Sequence, residues 1–259
     1  MLLSQGKGKA SDSALKLVSL LAFVVAILVH SVTAWIFSLN IARPFWNTAL
    51  MAPWFVSSAL VSGLGLVLIL VLVLRKTGHL SVSEGDLGKM GKLLGVFVAV
   101  DLFLFFCDLL TGGYTGAGTE FELGAQMLAG PLAPFFWTEV VGGLVALVLM
   151  FAPSLRALRP AVMVAAVLAV LGVLMKRVQL IEGGFQIPNL TYAAAPVGLP
   201  VGDAAAGSLG SPGLASAAGT LVYWPTGYEA ALSLCVVSLG VCLFLLALYF
   251  LPLSDETEH

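Results

Sequence analysis

Leu64-Gly-Leu-Val-Leu-Ile-Leu-Val-Leu-Val-Leu74 decides the fold. No polar residue interrupts the run and it does not alternate, so it is not a strand of an outer-membrane barrel, whose residues alternate apolar and polar. It continues an apolar tract that starts near residue 52, giving the roughly 20 residues a spanning helix needs. The rest of the chain has the same character. Of 259 residues, 59% are hydrophobic and only 10% are charged, against about 25% charged in an ordinary soluble domain. That composition excludes a soluble enzyme, a nucleic-acid-binding domain and a disordered chain. The net charge of −2 carries no information about acidic or basic partners.

Six tracts are long enough to span, at about 18–39, 52–74, 93–112, 132–152, 160–180 and 227–251, with about 20 residues as the requirement. The first follows Lys7, Lys9 and Lys16 and is longer than a signal-peptide core, so it reads as a retained helix. The expectation is an all-α integral membrane protein, a single domain over 1–259 built as a bundle of about six transmembrane helices. Nine basic residues (Lys7, Lys9, Lys16, Arg75, Lys76, Lys89, Lys92, Arg156, Arg159) fall on one side and three (Arg43, Lys176, Arg177) on the other. The positive-inside rule then puts both termini in the cytoplasm. The charged loop 75–92 contains Ser81-x-x-Glu84, a pattern that caps a short interfacial helix. The stretch 181–226, with Asp203 its only charge beyond Glu182 and rich in Gly, Ala, Ser and Pro, reads as an extracytoplasmic loop packing on a neighbouring subunit. A mobile linker is the alternative. Trp35, Trp46, Trp54, Trp137 and Trp224 fall near the outer boundary, as an interfacial belt does.

Ionisable residues at membrane depth are functional candidates by default. Asp101 and Asp108 are seven residues apart, two turns, on one face of the third helix with Phe105 between them. Glu139 sits in the fourth helix, and Gly142 and Gly143 open its face to another backbone. From a 1.5 Å rise per residue, Asp108 lies roughly 6 Å, Glu139 roughly 10 Å, Arg177 roughly 5 Å and His30 about 12 Å below the outer boundary, with Asp101 deeper. Two acids and a base at similar depth, with a third acid below, suit a proton relay or a polar pocket for a lipid-soluble ligand. The structural alternative is that Lys176 and Arg177 snorkel outward, Arg177 pairing with Glu182 or Asp108. Glu229, three residues after Thr226, reads as a capping box opening the last helix. Ser58 with Ser62, and Ala59 with Gly63, read as helix-packing positions.

Cys107, Cys235 and Cys242 show neither a disulfide framework nor a metal spacing, so no metal site is expected. A membrane haem commonly takes two axial histidines, and of His30, His79 and His259 only His30 is at membrane depth. No haem or iron–sulphur centre is therefore expected on this chain.

Four segments, in order, resemble the NrfD/PsrC-type membrane subunits of respiratory oxidoreductases. They are Ala42-Arg-Pro-Phe-Trp-Asn47 with its continuation to Gly63, Gly130-Pro-Leu-Ala-Pro-Phe-Phe-Trp-Thr-Glu139, Lys176-Arg-Val-Gln-Leu-Ile-Glu-Gly-Gly-Phe-Gln186, and Tyr223-Trp-Pro-Thr-Gly-Tyr-Glu229. That family includes the membrane subunits of polysulfide reductase, hydrogenase-2-type complexes, sulphite-reduction-associated DsrP and alternative complex III. The chain resembles the C-terminal part of the longer members. The resemblance implies a haem-free anchor in a prokaryotic cytoplasmic membrane that exchanges electrons and protons with the quinone or menaquinone pool. It implies an iron–sulphur ferredoxin-like partner, a second membrane subunit supplying further helices, and cytochrome or molybdoenzyme subunits beyond. By the same resemblance Asp101, Asp108 and Glu139 form the proton relay, and His30 and Arg177 contact quinone. Two alternatives stand beside it. One is a small proton-coupled transporter or channel subunit. The other is the structural or proton-path half of a split NrfD-type protein with no quinone site of its own.

Overall fold

A computed structural model describes residues 12–41, 43, 45–78, 80, 82–114, 119–185 and 226–250. All elements among them are helices: α1 (Asp12–Ser38), α2 (Met51–Lys76), α3 (Glu84–Gly113), α4 (Thr119–Ala129), α5 (Ala133–Phe151), α6 (Pro153–Arg156), α7 (Arg159–Phe185) and α8 (Gly227–Phe250). Six of these, α1, α2, α3, α5, α7 and α8, are long and apolar enough to cross a membrane. The all-helical, six-span architecture expected from the apolar tracts is therefore present.

Three boundaries differ from the sequence reading. The charged segment before the third span is not a separate interfacial helix. It forms the first turns of α3, which starts at Glu84 rather than 93. The cap is Ser83, whose hydroxyl accepts the Asp86 amide at 3.1 Å, whereas Ser81 lies outside the described residues. Glu84 turns instead to Arg75 and Arg159, at 2.7 Å and 2.5 Å. The fifth span runs to Phe185, five residues past its expected end, so the start of the expected 181–226 loop is helix. The remainder of that loop, 186–225, lies outside the described residues. A short helix, α4, occupies part of the stretch between the third and fourth apolar tracts, where the sequence reading has no element.

Breaks between helices follow backbone chemistry. At Gly130 a Cβ would stand 2.7 Å from the Gln126 Cα, so only glycine lets the chain turn from α4 toward α5. At the other end of α5, Ala152 is extended and Pro153 follows, which stops the helix. Before α8, Glu229 accepts the Thr226 amide at 2.7 Å and the Thr226 hydroxyl accepts the Glu229 amide at 3.4 Å. That is the expected capping box.

Helices α2, α3, α5 and α7 pack as a four-helix unit, and α1 lies against α2. Small residues set the closest approach. A Cβ on Gly142 would lie 3.7 Å from the Leu168 carbonyl, and one on Gly172 would lie 3.8 Å from the Glu139 Cα. Backbones this near are the way membrane helices gain dispersion energy when lipid offers no hydrophobic drive. Gly65 does the same against Val170 and Ala166, whereas Gly63, expected to pack, faces open space.

Two apolar clusters fill the unit. One is aliphatic, with Leu68, Leu94, Val98, Ala146, Met150, Val162 and Ala166. The other is aromatic and lies toward the end where α2 and α5 begin, with Trp46, Trp54, Phe55, Phe105, Phe136 and Leu180. Trp46 and Trp54 are thus buried in the bundle, whereas Trp35 and Trp137 are about half exposed, and Trp224 lies outside the described residues. No residue in the apolar window of α8 is buried, and α1 buries 6% of its window.

Candidate functional site: a buried lysine between two acids, beside a cleft

Three long helices and a serine meet at one buried point. Lys176 of α7 donates to the Asp101 carboxylate of α3 and contacts Glu139 of α5 at 3.2 Å. Ser57 of α2 donates to the other Asp101 oxygen at 2.6 Å. Side-chain exposure is 3% for Lys176, 7% for Asp101 and 4% for Glu139. Of the two readings of Lys176, the functional candidate and the outward snorkel, the buried ion pairs favour the first. A helix places neighbouring residues about 100° apart, so Lys176 and Arg177 cannot face the same way. Lys176 faces inward and meets the two acids. Arg177 faces α2, donates to Ser58 at 2.9 Å and lies 3.8 Å over the Phe55 ring. Its guanidinium is held there by Ser58 and Phe55.

Aromatic rings cover the side of this cluster toward the start of α2 and α5. Lys176 Nζ lies 4.9 Å from the Trp54 ring centroid and 5.8 Å from that of Phe105. The two rings stack on each other, 5.6 Å apart and 11° from parallel. Both also line a cleft of about 290 Å³, together with Phe45, Leu109, Met127, Asn47, Thr48 and Asp108. Asp108 accepts a hydrogen bond from Thr48 at 2.8 Å. The cleft lining is mixed, with Asn47, Thr48, Asp108 and Thr111 set among Phe45, Trp54, Phe105, Leu109 and Met127. The cleft wall is fixed from α7. Trp46 donates to the Leu180 carbonyl at 2.8 Å, and Arg43 donates to the Gly184 carbonyl at 3.1 Å.

The expected site residues therefore divide. Asp101 and Glu139 come together, with Lys176 as the cation between them. Asp108, two turns out on the same face as Asp101, belongs to the cleft. Asp108, Glu139 and Arg177 do not form one layer, because Glu139 shares its level with Asp101. Arg177 sits beside the cluster, held on Ser58, the neighbour of Ser57. His30 is apart from all of them: its Nδ1 contacts the Ala26 carbonyl at 2.9 Å, on a helix that lies against α2. Neither His30 nor Arg177 lines the cleft, so the two side chains expected to contact quinone are not its walls. Trp54 and Phe105 are walls, and Lys176 adjoins them. Sequence spacing missed Trp54 because a tryptophan near a span end reads equally well as belt or core.

The family model for NrfD, polysulphide reductase, matches residues 7–189. A putative dimethyl sulfoxide reductase membrane subunit of Halobacterium salinarum is 35% identical over 234 residues, covering 90% of this chain and 52% of that protein. A selenate reductase subunit of Mesobacillus selenatarsenatis is 26% identical over 175 residues, 68% of this chain and 41% of that protein. The chain spans about half the length of these curated relatives. With six helices long and apolar enough to span among the described residues and a family match over most of its length, this multi-pass membrane chain belongs to the NrfD polysulphide reductase family.

Proposed function

We propose that this chain is a haem-free membrane subunit of a respiratory oxidoreductase, exchanging electrons and protons with the quinone pool. The observation that carries the reading is the juxtaposition just described. An aromatic-walled cleft bearing Asp108 shares its Trp54 and Phe105 walls with a buried Lys176–Asp101–Glu139 cluster. Trp54 Nε1 is buried and has no hydrogen-bond partner among the described residues, so it is a donor that an oxygen reaching this wall would satisfy. A quinone bound there supplies two-electron, two-proton chemistry in a flat ring with oxygen at both ends.

The residues then take these roles. Trp54 and Phe105 hold a planar ring by stacking. Asp108, steadied by Thr48, accepts a proton at the cleft. Asp101 and Glu139 hold protons at the buried level, and Lys176 balances their charge. One cation facing two carboxyl groups is neutral as a set when one carboxyl carries a proton, which makes that proton exchangeable without leaving net charge in the bilayer. Arg177 positions α2 against α7 through Ser58. His30 is left for a contact on the α1 side.

The partners under this reading are an iron–sulphur ferredoxin-like subunit, a second membrane subunit and, beyond them, a molybdoenzyme or cytochrome subunit. The names of both relatives, each one subunit of a reductase, support an assembly of this kind. The cytoplasmic membrane is the proposed location, with both termini inside. The test is to purify the chain with its native partners, identify them, and assay quinone-linked electron transfer. Co-purification of an iron–sulphur protein with quinol-dependent turnover is the expected result. An active quinone-reacting preparation containing this chain alone would contradict the assembly. A partner-bound preparation indifferent to quinone would contradict the function.

A further inference from the structure

Two layers of polar groups bracket the aliphatic part of the four-helix unit. The upper layer is Ser57, Asp101, Glu139 and Lys176. The lower is Arg75, Glu84 and Arg159, joined by two ion pairs. Along the sequence, the layers are 18 residues apart on α2, 17 on α3 and 17 on α7 (75 − 57, 101 − 84, 176 − 159). At 1.5 Å per residue that is about 25 Å on each of three helices. In the other direction, the upper layer is six residues from the start of α2 (57 − 51) and six from the start of α5 (139 − 133), about 9 Å.

The long side is dry. Residues 63–74 of α2, 93–100 of α3, 140–151 of α5 and 160–175 of α7 contain no hydroxyl, amide or charged side chain. Where these stretches face one another they form the aliphatic cluster, with Leu68, Leu94, Ala146, Met150, Val162 and Ala166 all at 0% exposure. A cavity of that lining excludes water.

The short side differs. Gln179, one turn outward of Lys176 on α7 and 1% exposed, has no hydrogen-bond partner for either amide atom among the described residues. Trp54 Nε1 and Glu139 Oε2, the carboxylate oxygen not paired with Lys176, are likewise without one. Buried polar atoms are almost always paired, and a buried water commonly does the pairing. These four atoms belong to three side chains on α2, α5 and α7: Trp54 and Glu139 lie against Lys176, and Gln179 is three residues from it along α7.

We propose that ordered water connects the outer cleft to the Lys176–Asp101–Glu139 cluster past Trp54 and Gln179, and that the aliphatic cluster closes the path toward the lysine- and arginine-rich end. The buried acids then exchange protons with the cleft side alone. In turnover, the subunit takes up or returns protons on that side and carries none through the four-helix unit. Water access itself is independent of the quinone reading and is measured without turnover.

The experiment is thiol labelling in membrane vesicles containing the native assembly. The background carries Cys107→Ala, Cys235→Ala and Cys242→Ala, with one added probe: Gln179→Cys, Val98→Cys or Ala166→Cys. A small cationic methanethiosulfonate is applied. Position 179 is expected to react at least about tenfold faster than 98 or 166, because only a hydrated thiol ionises and attacks. An unreactive 179, or a 98 or 166 that matches it, overturns the proposal. Should the Gln179→Cys chain fail to assemble, hydroxyl-radical footprinting of the unsubstituted assembly decides. Labelling of Trp54 and Phe105 with Met150 and Phe97 silent supports it, and labelling of Met150 at the rate of Trp54 overturns it. Absence of quinone activity would bear on the functional reading and leave these labelling outcomes intact.

Discussion

Lys176 is the residue on which the buried cluster depends. Removing one partner of a buried ion pair leaves an uncompensated charge or an orphaned polar group, at a cost of about 3–5 kcal/mol. Lys176→Met removes the cation facing two acids at once. The expected outcome is loss of the assembled subunit from the membrane, read by immunoblot and thermal stability in detergent. Asp101→Asn in the same background should restore part of it, because one buried acid fewer then lacks a counter-charge. Arg177→Leu is milder. It loses one hydrogen bond to Ser58 and a cation over Phe55, about 1–3 kcal/mol together, so it should lower the melting temperature more than the rate of an assembled complex. At this scale the sequence was only partly legible. Spacing put Asp101 and Asp108 on one face, and that holds. It could not show that Asp108 meets Thr48 of the connection before α2 while Asp101 meets Ser57 and Lys176, because those partners come from 44 to 75 residues away. Depth along a helix also left both readings of Lys176 open. A cation near a helix end is free to snorkel unless the bundle holds an acid for it, and that acid lies on another helix.

Among the elements, α7 and the 43–47 connection show how the cleft wall is held. Gly183 and Gly184 let that connection lie on the helix. A Cβ on Gly183 would approach the Phe45 ring at 2.8 Å, and one on Gly184 would run into the Trp46 indole. Gly184→Ala should push Trp46 off the Leu180 carbonyl, costing about 1–3 kcal/mol of overpacking strain. Intrinsic tryptophan fluorescence and a melting curve check this: a red shift with a lower transition is expected, and an unchanged pair of readings would contradict it. The spans themselves were legible because uninterrupted apolar tracts have few alternatives in a bilayer. Their polar ends were not. The first turns of α3 carry Glu84, Asp86 and Lys89, a composition that a loop and a helix in the headgroup region share. Only the Ser83 cap distinguishes them. The amphipathic α4 was hidden for the same reason.

For the whole molecule, the distribution of basic residues predicts an orientation that geometry alone does not provide. Positions 80 and 205 lie on opposite sides under that reading, as cysteine labelling from each face can check. Position 80 should react from the cytoplasm and 205 from outside, and the reverse pattern would invert the topology and the side to which the cleft opens. A subunit with a lightly buried α1 and an unburied α8 presents much apolar surface, which lipid and neighbouring membrane helices can both cover.

The central claim is that the buried acids serve quinone-linked proton exchange, and one substitution addresses it. Asp101→Asn keeps the shape and a hydrogen-bonding amide while removing the proton site. In the native assembly, with subunit content matched to wild type, quinone-linked turnover should fall at least about tenfold, as loss of a positioned proton carrier does, and its pH dependence should change. Unchanged turnover with an unchanged pH profile would mean that Asp101 only ties helices together, and the account would be wrong.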